Sequence, residues 1–250
     1  MSEEKSLFLA SQSTRRRELI NLLGFPFYSL VADVDEALLP DETPTDYVRR
    51  LAEAKARACC PDPSLPLAQH PRTGAKGEGS GSFPLRGRAE RGGKVVIGSD
   101  TAVVDAGEIL GKPEDAREAE SMLRQLRGRT HQVYTGIAVY ELESERVFRD
   151  LCVSEVPMRC YEDEEMLGYI QSGDPFDKAG GYAIQHEHFS PVENFKGCFA
   201  SVMGLPLCHL ARNLKKAGMP VDVDLPAVCK ASLSYDCVIS DAVLRGENLG

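Results

Sequence analysis

No two cysteines in this chain stand in a C-x2-C arrangement, although eight are present, so zinc-ribbon and thioredoxin patterns are absent. No stretch approaches 18 consecutive apolar residues, which excludes a membrane-spanning helix. Met1-Ser-Glu-Glu-Lys5 is charged, and the apolar run Leu7–Ala10 is too short for the core of a secretory leader. A soluble cytoplasmic protein is therefore expected, with reduced thiols mostly buried as small hydrophobes. Positive charge is also short. With 29 Lys+Arg against 38 Asp+Glu the net charge is -9, which argues against a polymer of nucleic acid as partner. An anionic ligand must be met locally.

That charge is unevenly spread. Residues 61–94 hold five Pro and seven Gly and carry +3, leaving -12 for the remainder. Such a segment cannot bury enough apolar surface to offset its ordering entropy, and it reads as a disordered surface insertion. On either side of it, strand and helix signals alternate. Ser6–Ala10 reads as a buried strand, 14–23 as a helix, 25–31 as a strand and 45–58 as a helix with its bases, Lys55 among them, largely outward. Lys94–Val104 reads as a strand pair or a strand broken at Gly98-Ser-Asp100, followed by a helix from about Glu114. An antiparallel hairpin is expected over 132–140 and 146–156, a helix over 162–171, a short strand over 181–185 and a closing helix over 205–216. The fold class is α/β with a mixed sheet. The working domain spans 1–218, and the tail 219–250, with one candidate strand near Cys237, is left unassigned.

Four blocks carry chemistry. Ser11-Gln-Ser13-Thr-Arg15-Arg16-Arg17 follows a buried strand and opens a helix, where hydroxyl caps, free N–H groups and guanidinium groups suit an anion. It lacks the glycines of a P-loop or a dinucleotide fingerprint. Val95–Thr101 ends a β-branched run in Ser99, Asp100 and Thr101, and a second acidic cluster, Asp33-Val-Asp35-Glu36, also lies just past a strand. Carboxylates at strand ends are a common way to hold Mg2+ beside a phosphate. Lys112, before Pro113, can neutralise phosphate charge. In Asp177-Lys178-Ala-Gly-Gly-Tyr-Ala-Ile-Gln185, a glycine pair permits close backbone approach and an amide can read a base edge. His186 and His188 have no ligand set around them, and no Gly-x-Ser-x-Gly elbow is present.

In this order the blocks resemble those of the Maf (septum formation) family of nucleoside triphosphate pyrophosphatases. Leu9-Ala-Ser-Gln-Ser-Thr-Arg-Arg16 is similar to its L-A-S-x-S-P-R-R, with Thr14 for proline, and Asp35-Glu36 to its acidic pair. Arg50-Leu-Ala-Glu-Ala-Lys-Ala56 is similar to R-L-A-x-x-K-A, Gly98-Ser-Asp-Thr101 to G-A-D-T, 177–185 to D-K-A-G-x-Y-G-I-Q, and Val202-Met-Gly-Leu-Pro206 to V-V-G-L-P. Gly111 stands where an acid is common, and His186 where glycine is. The resemblance implies a mixed twisted sheet in two lobes around a deep cleft, the Maf/inosine triphosphatase-like fold, and a homodimer. It also implies hydrolysis of dTTP or UTP to the monophosphate and pyrophosphate.

On that resemblance Arg16, with Arg15, meets the phosphates, and Glu36 and Asp100 hold a divalent cation, Mg2+ or Mn2+. Asp100 is the candidate general base, and Lys55, Lys112 and Lys178 neutralise charge. Ser11 and Ser13 line the phosphate loop, while Arg15, Thr101 and Gln185 select the base. The alternatives are a non-catalytic nucleotide-sensing or division-regulating protein on the same fold, and a 7-methyl-GTP specificity.

Overall fold

Residues 5–59, 72–73 and 93–249 are described by the computed structural model, the pair 72–73 as backbone only. The insertion read as disordered lies almost wholly outside them. The order of elements is β1 (Ser6–Ala10), α1 (Thr14–Asn21), β2 (Phe27–Leu30), α2 (Pro44–Ala58), β3 (Arg72–Thr73), β4 (Lys94–Asp105) and β5 (Glu108–Leu110). Then follow α3 (Ala116–Leu126), β6 (Thr130–Glu141), β7 (Val147–Pro157), α4 (Asp163–Gln171), α5 (Phe199–Val202), α6 (Leu207–Lys216), α7 (Leu225–Leu233) and α8 (Ser240–Leu244).

The sheet runs β3-β2-β1-β4-β6-β7, with β5 returning along β4. β1 pairs parallel with β2 and β4, while β4, β6 and β7 pair antiparallel, so the sheet is mixed. β4 does not break at Gly98-Ser99-Asp100. All three keep register with Ala138, Ile137 and Gly136 of β6.

Alternation along β4 sends its side chains to opposite faces. Val96 packs with Phe8, Ala52, Ala56 and Ala138 under α2. Val95 and Ile97 pack on the other face with Leu19 and Ile20 of α1 and Leu210 and Leu214 of α6. Further along, Val103, Val133 and Val156 bury against Leu123 of α3 and Met166 and Tyr169 of α4. The long strands β4 and β6 thus run from one core into a second, and a cleft of about 750 Å³ is lined by residues of both.

Three further expectations change. Residues 181–185 form no strand, because Gly180 and Gly181, both at φ +68°, lie in a 3-10 turn at Ala179–Gly181 and a further turn follows in which His186 N–H donates to Ala183 O. Helix α3 starts at Ala116 rather than 114, since the Asp115 side chain accepts from the N–H groups of Arg117 and Glu118. The tail folds as α7 and α8, with Leu225, Cys229 and Val243 buried in the same core as α6.

Candidate active site

At the centre of the cleft one ammonium joins two carboxylates. Lys55 Nζ stands 2.6 Å from Asp100 Oδ1 and 2.6 Å from Glu36 Oε1. Lys55 is not on an outward face. It shares the buried stripe of α2 with Val48, Leu51, Ala52 and Ala56 and is itself 8% exposed. That stripe sits close to the sheet because Gly98 and Gly136 lie beneath it. A Cβ on Gly98 would overlap the Ala52 carbonyl oxygen, and one on Gly136 would lie 2.5 Å from that of Val48.

Asp100 is buried, and burial raises its pKa above the ordinary carboxylate value despite the charges of Lys55 and Arg16 and the Lys55 hydrogen bond. Glu36 is more open. Burial pushes it up, but the hydrogen bond and charge of Lys55, with the charges of Lys112 and Arg16, hold it below the ordinary value. The two carboxylates are therefore driven apart, the pattern expected where one handles a proton and the other stays charged.

Arg16 enters from α1, whose N-cap is Ser13; the Ser13 hydroxyl accepts from Arg16 N–H at 3.4 Å, and Ser11 Oγ accepts from Ser13 N–H at 3.2 Å. The guanidinium donates to Gly204 O at 2.9 Å and to Thr101 Oγ1 at 3.1 Å. Behind it, Thr101 and Thr135 hydroxyls lie 3.1 Å apart, and Thr135 donates to Ser201 O at 2.8 Å. Ser99 also donates to Gly204 O, at 2.8 Å. Ser11, Ser13, Arg15, Arg16, Glu36, Lys55, Asp100, Thr101, Lys112, Lys178 and Gln185 all line this one cleft.

Over residues 6–217 the chain matches the family described as Maf-like protein. It belongs to that family. Similar curated proteins include the dTTP/UTP pyrophosphatase of Geotalea uraniireducens (strain Rf4), 39% identical over 218 residues, which are 87% of this chain and 98% of that protein. The dTTP/UTP pyrophosphatase of Thermomicrobium roseum is 40% identical over 229 residues, 90% of this chain and 92% of its own. That of Anaeromyxobacter dehalogenans is 40% identical over 222 residues, 88% and 98% respectively.

In this Maf-like chain some site residues are differently engaged from what the sequence suggests. Lys178 is buried. Its ammonium donates to Asp174 O at 2.6 Å, Asp174 Oδ1 at 2.9 Å and Asp177 Oδ1 at 2.6 Å, which uses all three of its protons. Thr101, expected to help select the base, accepts from the Arg16 guanidinium. Arg15 and Lys112 make no salt bridge among the described residues, and both line the cleft. Gly111 O accepts from Gly180 N–H at 2.9 Å, tying the Lys112 loop to the glycine turn.

Two positioning residues were missed from sequence. Tyr47 of α2 donates its hydroxyl to Glu36 O at 3.0 Å, and Arg50 donates to Ala37 O at 3.0 Å while pairing with Glu42. Together they pin the loop that carries Glu36. Their signal was available. Tyr47 and Arg50 lie three apart on a helix, on a face adjoining Lys55, opposite a loop with no secondary structure of its own.

Proposed function

We propose that this protein is a nucleoside triphosphate pyrophosphatase acting on dTTP and UTP, releasing the nucleoside monophosphate and pyrophosphate. The observation that carries the reading is the Lys55 bridge between Glu36 and Asp100, beside Arg16, in a cleft large enough for a nucleotide.

The donor set fits a hard divalent cation. Lys55 takes one oxygen of each carboxylate, Glu36 Oε1 and Asp100 Oδ1, which leaves the second oxygen of each for a cation, and Mg2+ commonly takes one or two carboxylates beside substrate phosphates. Glu36 and Asp100 would hold Mg2+ or Mn2+, which supplies charge neutralisation for the triphosphate. The remaining chemistry belongs to side chains. Asp100, with its raised pKa, accepts the proton of the water that attacks the α-phosphorus. Lys55 keeps that carboxylate oriented and offsets its charge. Arg16, fixed by Gly204 and Thr101, meets the phosphates from the α1 end, and Lys112, whose charge also acts on Glu36, offsets charge on the departing pyrophosphate.

Ser11 and Ser13 shape the loop at the α1 N-terminus. Arg15 and Gln185 line the wall left for the base, and Thr101 acts on substrate through Arg16. Lys178 reaches phosphate by exchanging Asp177, whose side chain is 74% exposed. The same reading carries a homodimer and a cytoplasmic setting. The test is a substrate panel with Mg2+: the standard nucleoside triphosphates, 5-methyl-UTP, pseudo-UTP and 7-methyl-GTP. Pyrophosphate release fastest from dTTP and UTP is expected. A preference for 7-methyl-GTP, or no turnover of any member, overturns the reading.

A further inference from the structure

Away from the cleft, the other face of the sheet holds a cluster of thiols that the catalytic reading does not use. Cys152 of β7 and Cys198, the residue before α5, are buried, and Cys237, just before α8, is half-buried. Cys198 lies beside both of the others and lines one small cavity together with Cys237. Its neighbour fixes the approach: Cys237 Sγ donates to Gly197 O at 3.9 Å, and Tyr235 Oη donates to Phe195 O at 3.2 Å and to Gly197 O at 3.1 Å. Residues 235–237 are thereby laid along 195–198. Cys208 and Cys229 line the same small cavity.

The three thiols are not equivalent. The neighbouring Cys198 thiol, countered by burial but aided by the N–H groups of Ile239 and Ser240, holds the Cys237 thiol below its ordinary value. Cys198 is held well above it by its neighbours Cys152 and Cys237 and by burial. Cys152 is fully buried. Reach and thiolate character therefore coincide at Cys237, and Cys198 lines the same cavity, next to the Gly197 carbonyl that Cys237 meets. Cys237 also lies in the α7–α8 segment, beyond residue 217 where the family match ends, whereas Cys198 lies within it.

We propose that Cys198 and Cys237 form a dithiol site for small disulfide oxidants such as glutathione disulfide, and that its oxidation clamps the C-terminal helices to the family domain. The Cys237 thiolate attacks one sulfur of the oxidant, forming a mixed disulfide and releasing one glutathione thiolate, which takes up a proton. The Cys198 thiol loses its proton to solvent and attacks the Cys237 sulfur, releasing the second glutathione. Two protein thiols are oxidised and one small disulfide is reduced to two thiols. The bond closes the chain between 198 and 237, and the constraint on the unfolded state stabilises the fold. This inference is independent of the proposed catalytic activity.

The test is to equilibrate the full-length protein in glutathione buffers of increasing oxidised fraction, trap free thiols by alkylation, and map peptides without reduction. A peptide pair linked through Cys198 and Cys237 is expected, reversed by excess reduced glutathione, with a Tm rise of about 5 °C or more in the oxidised form. Cys237→Ser, at a half-buried position, should fold, keep its Tm under reducing conditions, and lose both the link and the rise. Cys152→Ser should retain both. A Cys152–Cys198 link, glutathione left on Cys237 without an internal bond, or no cross-link at any ratio overturns the proposal.

Discussion

Gly98 lies so near the Ala52 carbonyl that a Cβ there would overlap it, and this contact seats α2 against β4. Lys55 follows Ala52 by three residues on the same buried stripe, so the seating also sets Lys55 over Asp100. Gly98→Ala must lift the helix. We expect a loss of about 2–3 kcal/mol from overpacking, together with a fall in kcat/KM, checked by thermal melts and steady-state kinetics. A variant as stable and as active as the parent would contradict the coupling.

The acid limb of kcat/KM should report Asp100. As a base it works only when ionised, so activity falls as pH drops through its pKa; burial raises that pKa in the metal-free protein, while the cation shared with Glu36 lowers it, so the limb should move to lower pH as Mg2+ is raised. Lys55 opposes the burial effect. Lys55→Met should therefore move the limb to higher pH, and reduce the plateau by about 100-fold. A limb that stays put in the variant would separate Lys55 from Asp100.

Gly204 has φ +109°, and a Cβ on it would stand 3.0 Å from Arg16 Nε. Gly204→Ala is expected to lower kcat/KM by about tenfold through displacement of Arg16. The check is Thr101→Val, which removes the other guanidinium contact and should shift the same parameter in the same direction. An effect on stability alone would assign Gly204 to packing.

His131 is buried, with Nε2 2.8 Å from the Tyr182 hydroxyl, and burial pushes its pKa down to about 4 from 6.5, with Asp105 opposing. Between those values the unfolded chain binds a proton that the native one does not. Stability therefore rises with pH across that window, and falls by about 3 kcal/mol on acidification from above 6.5 to near 4. His131→Gln should flatten this slope in urea melts taken at several pH values. A parent protein with no such slope would show the ring to be protonatable in place.

Much of the site was legible because most of its residues sit near ends of elements. Ser11 and Ser13 lie between β1 and α1, Arg16 in the first turn of α1, Glu36 in the loop after β2 and Lys112 between β5 and α3; Asp100 alone sits inside a strand, β4, and the fold gathers all six into one cleft. Lys55 was legible by a different rule than the one applied. The spacing 48, 51, 52, 55, 56 already puts it on the inner stripe, but its charge suggested an outward side chain. Only the carboxylates, from a loop and a strand distant in sequence, make its burial tolerable. The burial of Lys178 was not legible, because it depends on Asp174 O, Asp174 Oδ1 and Asp177 Oδ1 converging on the ammonium in the turn before the glycine pair.

Local signals also explain the fold's departures. Left-handed glycines at 180 and 181 and the turn closed by His186 N–H on Ala183 O leave the apolar run Tyr182-Ala183-Ile184 too short for a strand. In the tail, Asp224 before Leu225-Pro226 is a helix start, and its side chain accepts from Ala227 N–H at 3.2 Å. Weak apolar periodicity hid it, and the pairing of Cys198 with Cys237 came into view only with the tail docked.

Attack at the α-phosphorus by water activated at Asp100 is tested most directly by turnover of dTTP with Mg2+ in 18O-labelled water, followed by mass spectrometry of both products. The account predicts one label in thymidine monophosphate and none in pyrophosphate, with Asp100→Asn abolishing incorporation. Label in pyrophosphate or in orthophosphate, or undiminished labelling by Asp100→Asn, would contradict it.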